Sequence, residues 1–172
     1  RYSIEKPRVY LDSNITGTYN IIEISKTLNV KHLIMASSSS VYGANKKIPF
    51  KEIDKTETQM SIYAATKKSN ESMAHAYSNI WKVPITMVRF FTVYGPWGRP
   101  DMALFKFTKG ILNNKKIDIY NNGRMYRDFT YIDDVVNGII LLIRKIPKFN
   151  KKNRYQNDSL SPVAPFRVLN IG

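Results

Sequence analysis

The sequence predicts an α/β fold with a parallel sheet. Three observations carry that reading: apolar runs of strand length alternate with segments of helix length, the runs are rich in β-branched and aromatic residues, and small polar or turn-forming residues follow them.

Taken in order, residues 1–11 read as an irregular approach, with Pro7 breaking any early helix. Asp12 or Ser13 is a good N-cap type, and a helix from there to about residue 28 places Ile15, Tyr19, Ile22 and Leu28 on or near one face. Gly17 lies inside it; an interior glycine costs roughly 1 kcal/mol against alanine, which points to close backbone packing. His32-Leu33-Ile34-Met35-Ala36 reads as a buried strand that ends in four serines, Ser37 to Ser40, at its carboxyl edge, where open α/β sheets place their chemistry. Residues 44–60 form a polar loop containing Pro49, and residues 61–77 a helix.

A second strand is expected over residues 84–91, followed by a turn-rich loop, 92–100, that should lie beside the serines. A helix over about 102–112, a short strand at 117–120, a turn at Asn121-Asn122-Gly123 and a strand at 127–131 come next. Asp133 or Asp134 is expected to cap a helix running to about Lys145, residues 150–162 to be loop, and residues 167–171 to be a strand.

On the helix that follows the serines, Tyr63 and Lys67 are four apart and share a face. A neighbouring cation favours the phenolate, whose free pKa is near ~10, so such a pair beside a positively charged cofactor can serve as a base near neutral pH. Spacing alone is weak: with 11 tyrosines in 172 residues, about one Tyr-x-x-x-Lys is expected by chance, and structural context decides. The chain holds three. Tyr2 and Lys6 precede Pro7 with no strand ahead of them, and Tyr42 and Lys46 fall in a loop; only Tyr63 and Lys67 combine a helix with a serine-ended strand upstream.

Ser37-Ser38-Ser39-Ser40-Val41-Tyr42-Gly43 followed by Tyr63 to Lys67 resembles the extended short-chain dehydrogenases, the NAD-dependent epimerases and dehydratases that act on nucleotide sugars. Two later stretches, RFFTVYGPWGRPDMA from Arg89 and GRMYRDFTYIDD from Gly123, are similar to the UDP-glucuronate 4-epimerases of bacterial surface-polysaccharide pathways. The resemblance implies the second half of a Rossmann-type parallel sheet in residues 1–100, and in 101–172 part of a smaller nucleotide-sugar-binding domain whose last elements return to the core. No Gly-x-Gly-x-x-Gly or Gly-x-x-Gly-x-x-Gly occurs, and Gly95-x-x-Gly98 encloses Pro96, so the chain resembles an internal fragment, expected to be inactive by itself.

The site residues follow from the resemblance. Tyr63 would take the proton of the sugar 4-hydroxyl as C4 passes hydride to NAD, and a 4-keto sugar would turn over before hydride returns to its other face. Lys67 would hold the nicotinamide ribose and lower the tyrosine's pKa, and Ser38 would bond the same 4-oxygen. Ser13, Ser37 and Val93 match cofactor contacts, although Ser13, like Asn14 beside it, equally reads as a helix cap. Dehydratases of similar pattern carry Asp and Glu where Ser39 and Ser40 stand, so elimination chemistry is disfavoured. A 4-keto uronic acid is a β-keto acid and tends to lose carbon dioxide, so its carboxylate must be held firmly. Ser39, Ser40 and Thr92 offer hydroxyls, and Arg99 offers a guanidinium that reads either as that carboxylate's partner or as a solvated or phosphate-binding arginine. Arg127 matches a diphosphate-binding arginine. Tyr120 matches a uracil-stacking position, and reads equally as a strand-end core residue.

A net charge of +14 raises the possibility of polyanion binding, but the lysines are spread along the chain. The densest cluster, Arg144, Lys145, Lys148, Lys151, Lys152 and Arg154, reads as a solvated loop, and no nucleic-acid motif occurs. The apolar run over residues 139–143 is too short to span a bilayer, and no leader peptide opens the chain. Absence of cysteine fits a reducing compartment, and His32 and His75 are too isolated to suggest a metal. The expectation is thus a cytoplasmic enzyme with NAD and a UDP-sugar as ligands, a homodimer at full length, and no metal, nucleic-acid or membrane partner.

Overall fold

The computed structural model describes residues 2–149 and 159–172. The start is helical, not irregular: α1 (Tyr2–Glu5) and α2 (Pro7–Tyr10) lead through a π-helical stretch, Leu11–Thr16, into α3 (Gly17–Thr27). Pro7 opens α2 in the first turn, where its missing N–H forfeits no helical bond, so it starts a helix where it was expected to prevent one. Asp12 and Ser13 consequently lie inside helical backbone and cap nothing. Nor does Gly17 mark a close approach, since a Cβ there would come no nearer than 4.0 Å to the Asp12 carbonyl.

Strand β1 (Leu33–Ser38) ends in a 3₁₀ turn, Ser39–Tyr42. Gly43 follows at φ +56°, and a Cβ there would sit 1.9 Å from the Thr58 carbonyl oxygen, so the 44–60 loop folds back directly against the strand end. Helix α4 (Ile62–Trp81) starts where the Ser61 hydroxyl accepts the Ala64 N–H at 3.1 Å. It stops at Lys82, which takes the left-handed conformation at φ +57°.

Strand β2 (Ile85–Phe90) is followed at once by β3 (Thr92–Tyr94), so the expected 92–100 loop begins as a strand. β3 pairs in parallel with β4 (Phe129–Tyr131) to make a small second sheet. Between them lies α5 (Ala103–Leu112). No strand forms at 117–120; Tyr120 opens a 3₁₀ turn, Tyr120–Gly123, with Asn121 and Asn122 at φ +49° and +51°. Without a neighbouring strand an isolated β segment leaves its backbone groups unpaired, and local propensity does not hold it. Helix α6 (Ile132–Ile143) begins one residue before Asp133, so the two aspartates sit in its first turn, where they complement the helix dipole, and not at the cap. The last strand is β5 (Phe166–Ile171). The expected loop over 150–162 lies largely outside the described residues, as do Lys151, Lys152 and Arg154 of the basic cluster.

The larger sheet is parallel in the order β1-β2-β5, with Ser37 opposite Arg89 and Arg89 opposite Asn170. Period-two alternation sends Ile85 and Met87 of β2 and Phe166 and Val168 of β5 to one face, where Ile22 of α3 and Ala74 of α4 bury them. The other face carries Thr86, which lies 2.8 Å from His32 Nε2; His32 Nδ1 donates to the Ile143 carbonyl at 3.3 Å and so ties the end of α6 to that face. Helices α3 and α4 thus cover one face, the end of α6 reaches the other through His32, and β1 pairs only with β2 among the described residues.

Candidate active site

The carboxyl ends of β1, β2 and β5 present two consecutive cross-strand rows. The inner row, Ser37, Arg89 and Asn170, points to the α4 side and has polar partners, with Ser37 and Arg89 buried and Asn170 half-buried. Glu71 of α4 takes both arms of Arg89, accepting Nε at 2.8 Å and Nη2 at 2.9 Å, and also accepts the Ser37 hydroxyl at 2.7 Å. Arg89 Nη1 donates to the Tyr42 hydroxyl at 3.0 Å, which donates in turn to Asn170 Oδ1 at 2.8 Å. Burial alone raises the Glu71 carboxyl, but the Arg89 hydrogen bonds and charge, with the Ser37 hydroxyl, hold it below the ordinary carboxylate range.

The next residue along β1, Ser38, reaches the opposite side and opens onto a cleft of about 460 Å³. Ser38, Ser39, Ser40 and Tyr63 line one side of it, and Thr92, Val93 and Arg99 line the other. Three separate segments therefore meet there: the end of β1, the first turn of α4, and β3 with its following loop. Ser38 Oγ accepts the Ser40 N–H at 3.2 Å and so fixes the turn that carries Ser39 and Ser40. The Tyr63 ring stands edge-on to Tyr10, centroids 6.0 Å apart. Its first turn is braced by Thr66, which donates to the Tyr63 carbonyl at 2.8 Å and accepts Asn14 Nδ2 from the π-helical stretch at 2.8 Å.

Lys67, one turn beyond Tyr63, donates to the Ala36 carbonyl at 2.9 Å, and burial pushes its ammonium below the ordinary lysine range. It therefore sits behind the cleft, between α4 and the end of β1. Arg99 pairs with Asp101 through two bonds, Nε to Oδ1 at 3.0 Å and Nη2 to Oδ2 at 2.6 Å, at the exposed rim. Those bonds, against burial, hold Arg99 above its usual range, aided by the phenols of Tyr10 and Tyr63.

A second cavity of about 720 Å³ shares Thr92, Val93 and Arg99 with the first and adds Arg127, whose Nη1 donates to the Tyr126 carbonyl at 3.0 Å. The sequence-derived residues thus divide. Ser38, Ser39, Ser40, Tyr63, Thr92, Val93 and Arg99 share one cleft, and Arg127 adjoins it. Ser37 is turned inward, Ser13 is an exposed residue of the π-helical stretch, and Tyr120, 56% exposed, lines neither cavity.

Glu71, Tyr42 and Tyr10 were not foreseen as parts of this region. Glu71 carried a signal: it lies four residues after Lys67 on the Tyr63 face, and Arg89 interrupts an apolar strand, a pattern that calls for a buried counter-charge. Among the described residues no three of His, Cys, Asp and Glu cluster to hold a metal, and no helix is long and apolar enough to cross a membrane.

Residues 1–156 match the NAD dependent epimerase/dehydratase family. Protein CapI of Staphylococcus aureus is 58% identical over 173 residues, which cover all of this chain and 52% of CapI. A probable UDP-glucuronate 4-epimerase of Rhizobium meliloti (strain 1021) is 56% identical over 176 residues, all of this chain and 51% of that protein. Among solved structures, UDP-glucuronic acid 4-epimerase from Bacillus cereus in complex with UDP-glucuronic acid and NAD superposes with a TM-score of 0.77 at 34% identity, over 95% of this chain and 46% of that one. The chain spans about half the length of the curated relatives it matches.

Proposed function

This chain belongs to the NAD dependent epimerase/dehydratase family, and from that membership we propose that its cleft is the sugar site of an NAD-dependent UDP-glucuronate 4-epimerase. The observation that carries the reading is the meeting of Ser38, Tyr63 and Arg99, from three segments, around one cleft. A phenol and a serine hydroxyl on one wall suit a sugar hydroxyl that must lose a proton, and a guanidinium at the rim suits the sugar's carboxylate.

NAD, when bound, supplies a hydride acceptor and donor for C4 of the sugar. The residues present fit its nicotinamide end: the Tyr63 phenol and Lys67 ammonium lie on one helix face at the carboxyl edge of the sheet, and Val93 offers an apolar wall opposite. The 172 residues hold no glycine-rich turn for the pyrophosphate, so the proposed activity belongs to a protein that provides one. Within this chain, Tyr63 accepts the 4-hydroxyl proton and later returns it. Lys67 places positive charge one helical turn from the phenol and stabilises its anion. Ser38 donates a hydrogen bond to the 4-oxygen. Ser39, Ser40, Thr92 and Arg99 hold the C6 carboxylate and so oppose its loss as carbon dioxide, while Arg127, at the adjoining cavity, takes the diphosphate. Ser13 and Ser37 remain candidate cofactor contacts through backbone groups, and Tyr120 a candidate for the uracil. Ile21 and Ile24 of α3 and Ile80 and Trp81 of α4 are exposed, which supports pairing of the full-length protein as a homodimer.

The test is an assay of the chain extended to the length of its relatives, with NAD, on UDP-glucuronate, followed by proton NMR. The expected product is UDP-galacturonate. Turnover confined to UDP-glucose or UDP-N-acetylglucosamine overturns the substrate assignment.

A further inference from the structure

We infer that Glu71 is a positioning residue for the reaction, acting through Ser37 to set the cleft-facing hydroxyl of Ser38; the inference rests on the proposed epimerase reading of the cleft.

Ser37 and Ser38 are neighbours on β1 and point to opposite sides of the sheet. Any rotation or slide of the strand end that moves one therefore moves the other. Ser37 is anchored: its hydroxyl donates to Glu71 Oε1 at 2.7 Å and it is 3% exposed. Glu71 cannot follow a shifting serine, because the same carboxylate is held by both arms of Arg89 from the adjacent strand, at 2.8 and 2.9 Å. Arg89 in turn is braced by the Tyr42 hydroxyl at 3.0 Å and by the Glu52 carbonyl at 3.1 Å. The strand end is thus fixed by a charge pair buried between α4 and the sheet. A second tie runs from the same helix, through Lys67 Nζ to the Ala36 carbonyl at 2.9 Å, one residue before Ser37.

The side of the strand opposite this anchor is the cleft. A hydroxyl that must meet a sugar oxygen at hydrogen-bond distance tolerates little displacement, since an error of 1 Å in catalytic geometry can cost about 100-fold in rate. The buried orientation of the Ser37 hydroxyl also has a negative consequence: it is not free to bond a cofactor, so removing it should leave NAD affinity intact.

The experiment uses the full-length protein and the variants Ser37→Ala, Ser37→Thr and Glu71→Gln. The unsubstituted protein is assayed first on UDP-glucuronate and UDP-glucose, which tests the substrate assignment; the ratio of variant to parent on the better of the two tests the positioning role. Ser37→Ala is expected to lower kcat by about tenfold to 100-fold with KM for the sugar and for NAD within twofold of the parent. Ser37→Thr, which keeps the hydroxyl, is expected to recover most of that loss, and Glu71→Gln to fall with Ser37→Ala. Melting temperatures of all variants separate folding from positioning. A Ser37→Ala protein with parental kcat overturns the proposal, and so does a loss that falls on KM for NAD.

Discussion

Arg89 of β2 and Glu71 of α4 meet in a two-armed ion pair, 2.8 and 2.9 Å long, with side chains only 3% and 4% exposed. Removing one member strands the other as a buried charge, at a cost of about 3–5 kcal/mol, whereas replacing both with apolar residues of similar volume costs far less. Arg89→Met and Glu71→Leu are each expected to lower stability by that amount in urea unfolding. The double variant should recover most of the loss. Additive losses in the double variant would mean that the pair is not coupled.

The same pair sets an acid limit. Because the folded carboxyl of Glu71 titrates below its ordinary value of 4.5, its contribution is fully present above that value and fades as pH falls through the lowered folded pKa. Urea midpoints measured downward from pH 6 should therefore drop more steeply below about pH 4.5 in the parent than in Glu71→Gln, the drop that the variant lacks being the part owed to this group. Parallel curves would contradict the assignment.

Ser61 caps α4 by accepting the Ala64 N–H at 3.1 Å. Ser61→Ala is expected to cost about 1 kcal/mol, and Ser61→Asp to retain the stability of the parent. Thermal unfolding of the three proteins measures it. The first turn of this helix carries Tyr63, so a frayed start should also lower turnover.

Tyr63→Phe removes one oxygen from a half-buried side chain whose ring still packs against Tyr10. In the full-length protein it should reduce kcat by about 10²–10⁴-fold while the melting temperature changes by no more than a surface substitution would. Parental turnover would remove the phenol from the chemistry.

Much of this site was legible because its residues are recorded in local patterns. The four serines end an apolar strand, and Tyr63 and Lys67 occupy one face of the helix that follows, so the strand-then-helix context, together with the family resemblance, placed them at one edge of the sheet. The loop after β2 was expected beside the serines and lies there, and Arg99 comes with it. What escaped was non-local. The pairing of β3 with β4 joins residues 92–94 to 129–131 across a helix, and no short-range signal specifies it. Ile117 to Tyr120 has strand-like composition, yet no strand forms there: residues 117–119 stay irregular and Tyr120 opens a 3₁₀ turn. Pro7 was read as a breaker where it initiates, because its position relative to the first turn is not visible in composition. Glu71 takes its role from a partner on another element, the Arg89 of β2, which lies 18 residues away in sequence.

The most direct test of the central claim, that Ser38, Tyr63 and Arg99 surround a single hexose, is a crystal structure of the full-length protein with UDP-glucuronate and NAD. The sugar 4-oxygen is predicted within hydrogen-bond distance of both the Tyr63 and Ser38 hydroxyls, with the C6 carboxylate on the Arg99 guanidinium. A sugar ring bound outside this cleft, or one whose carboxylate faces away from Arg99, would contradict the account.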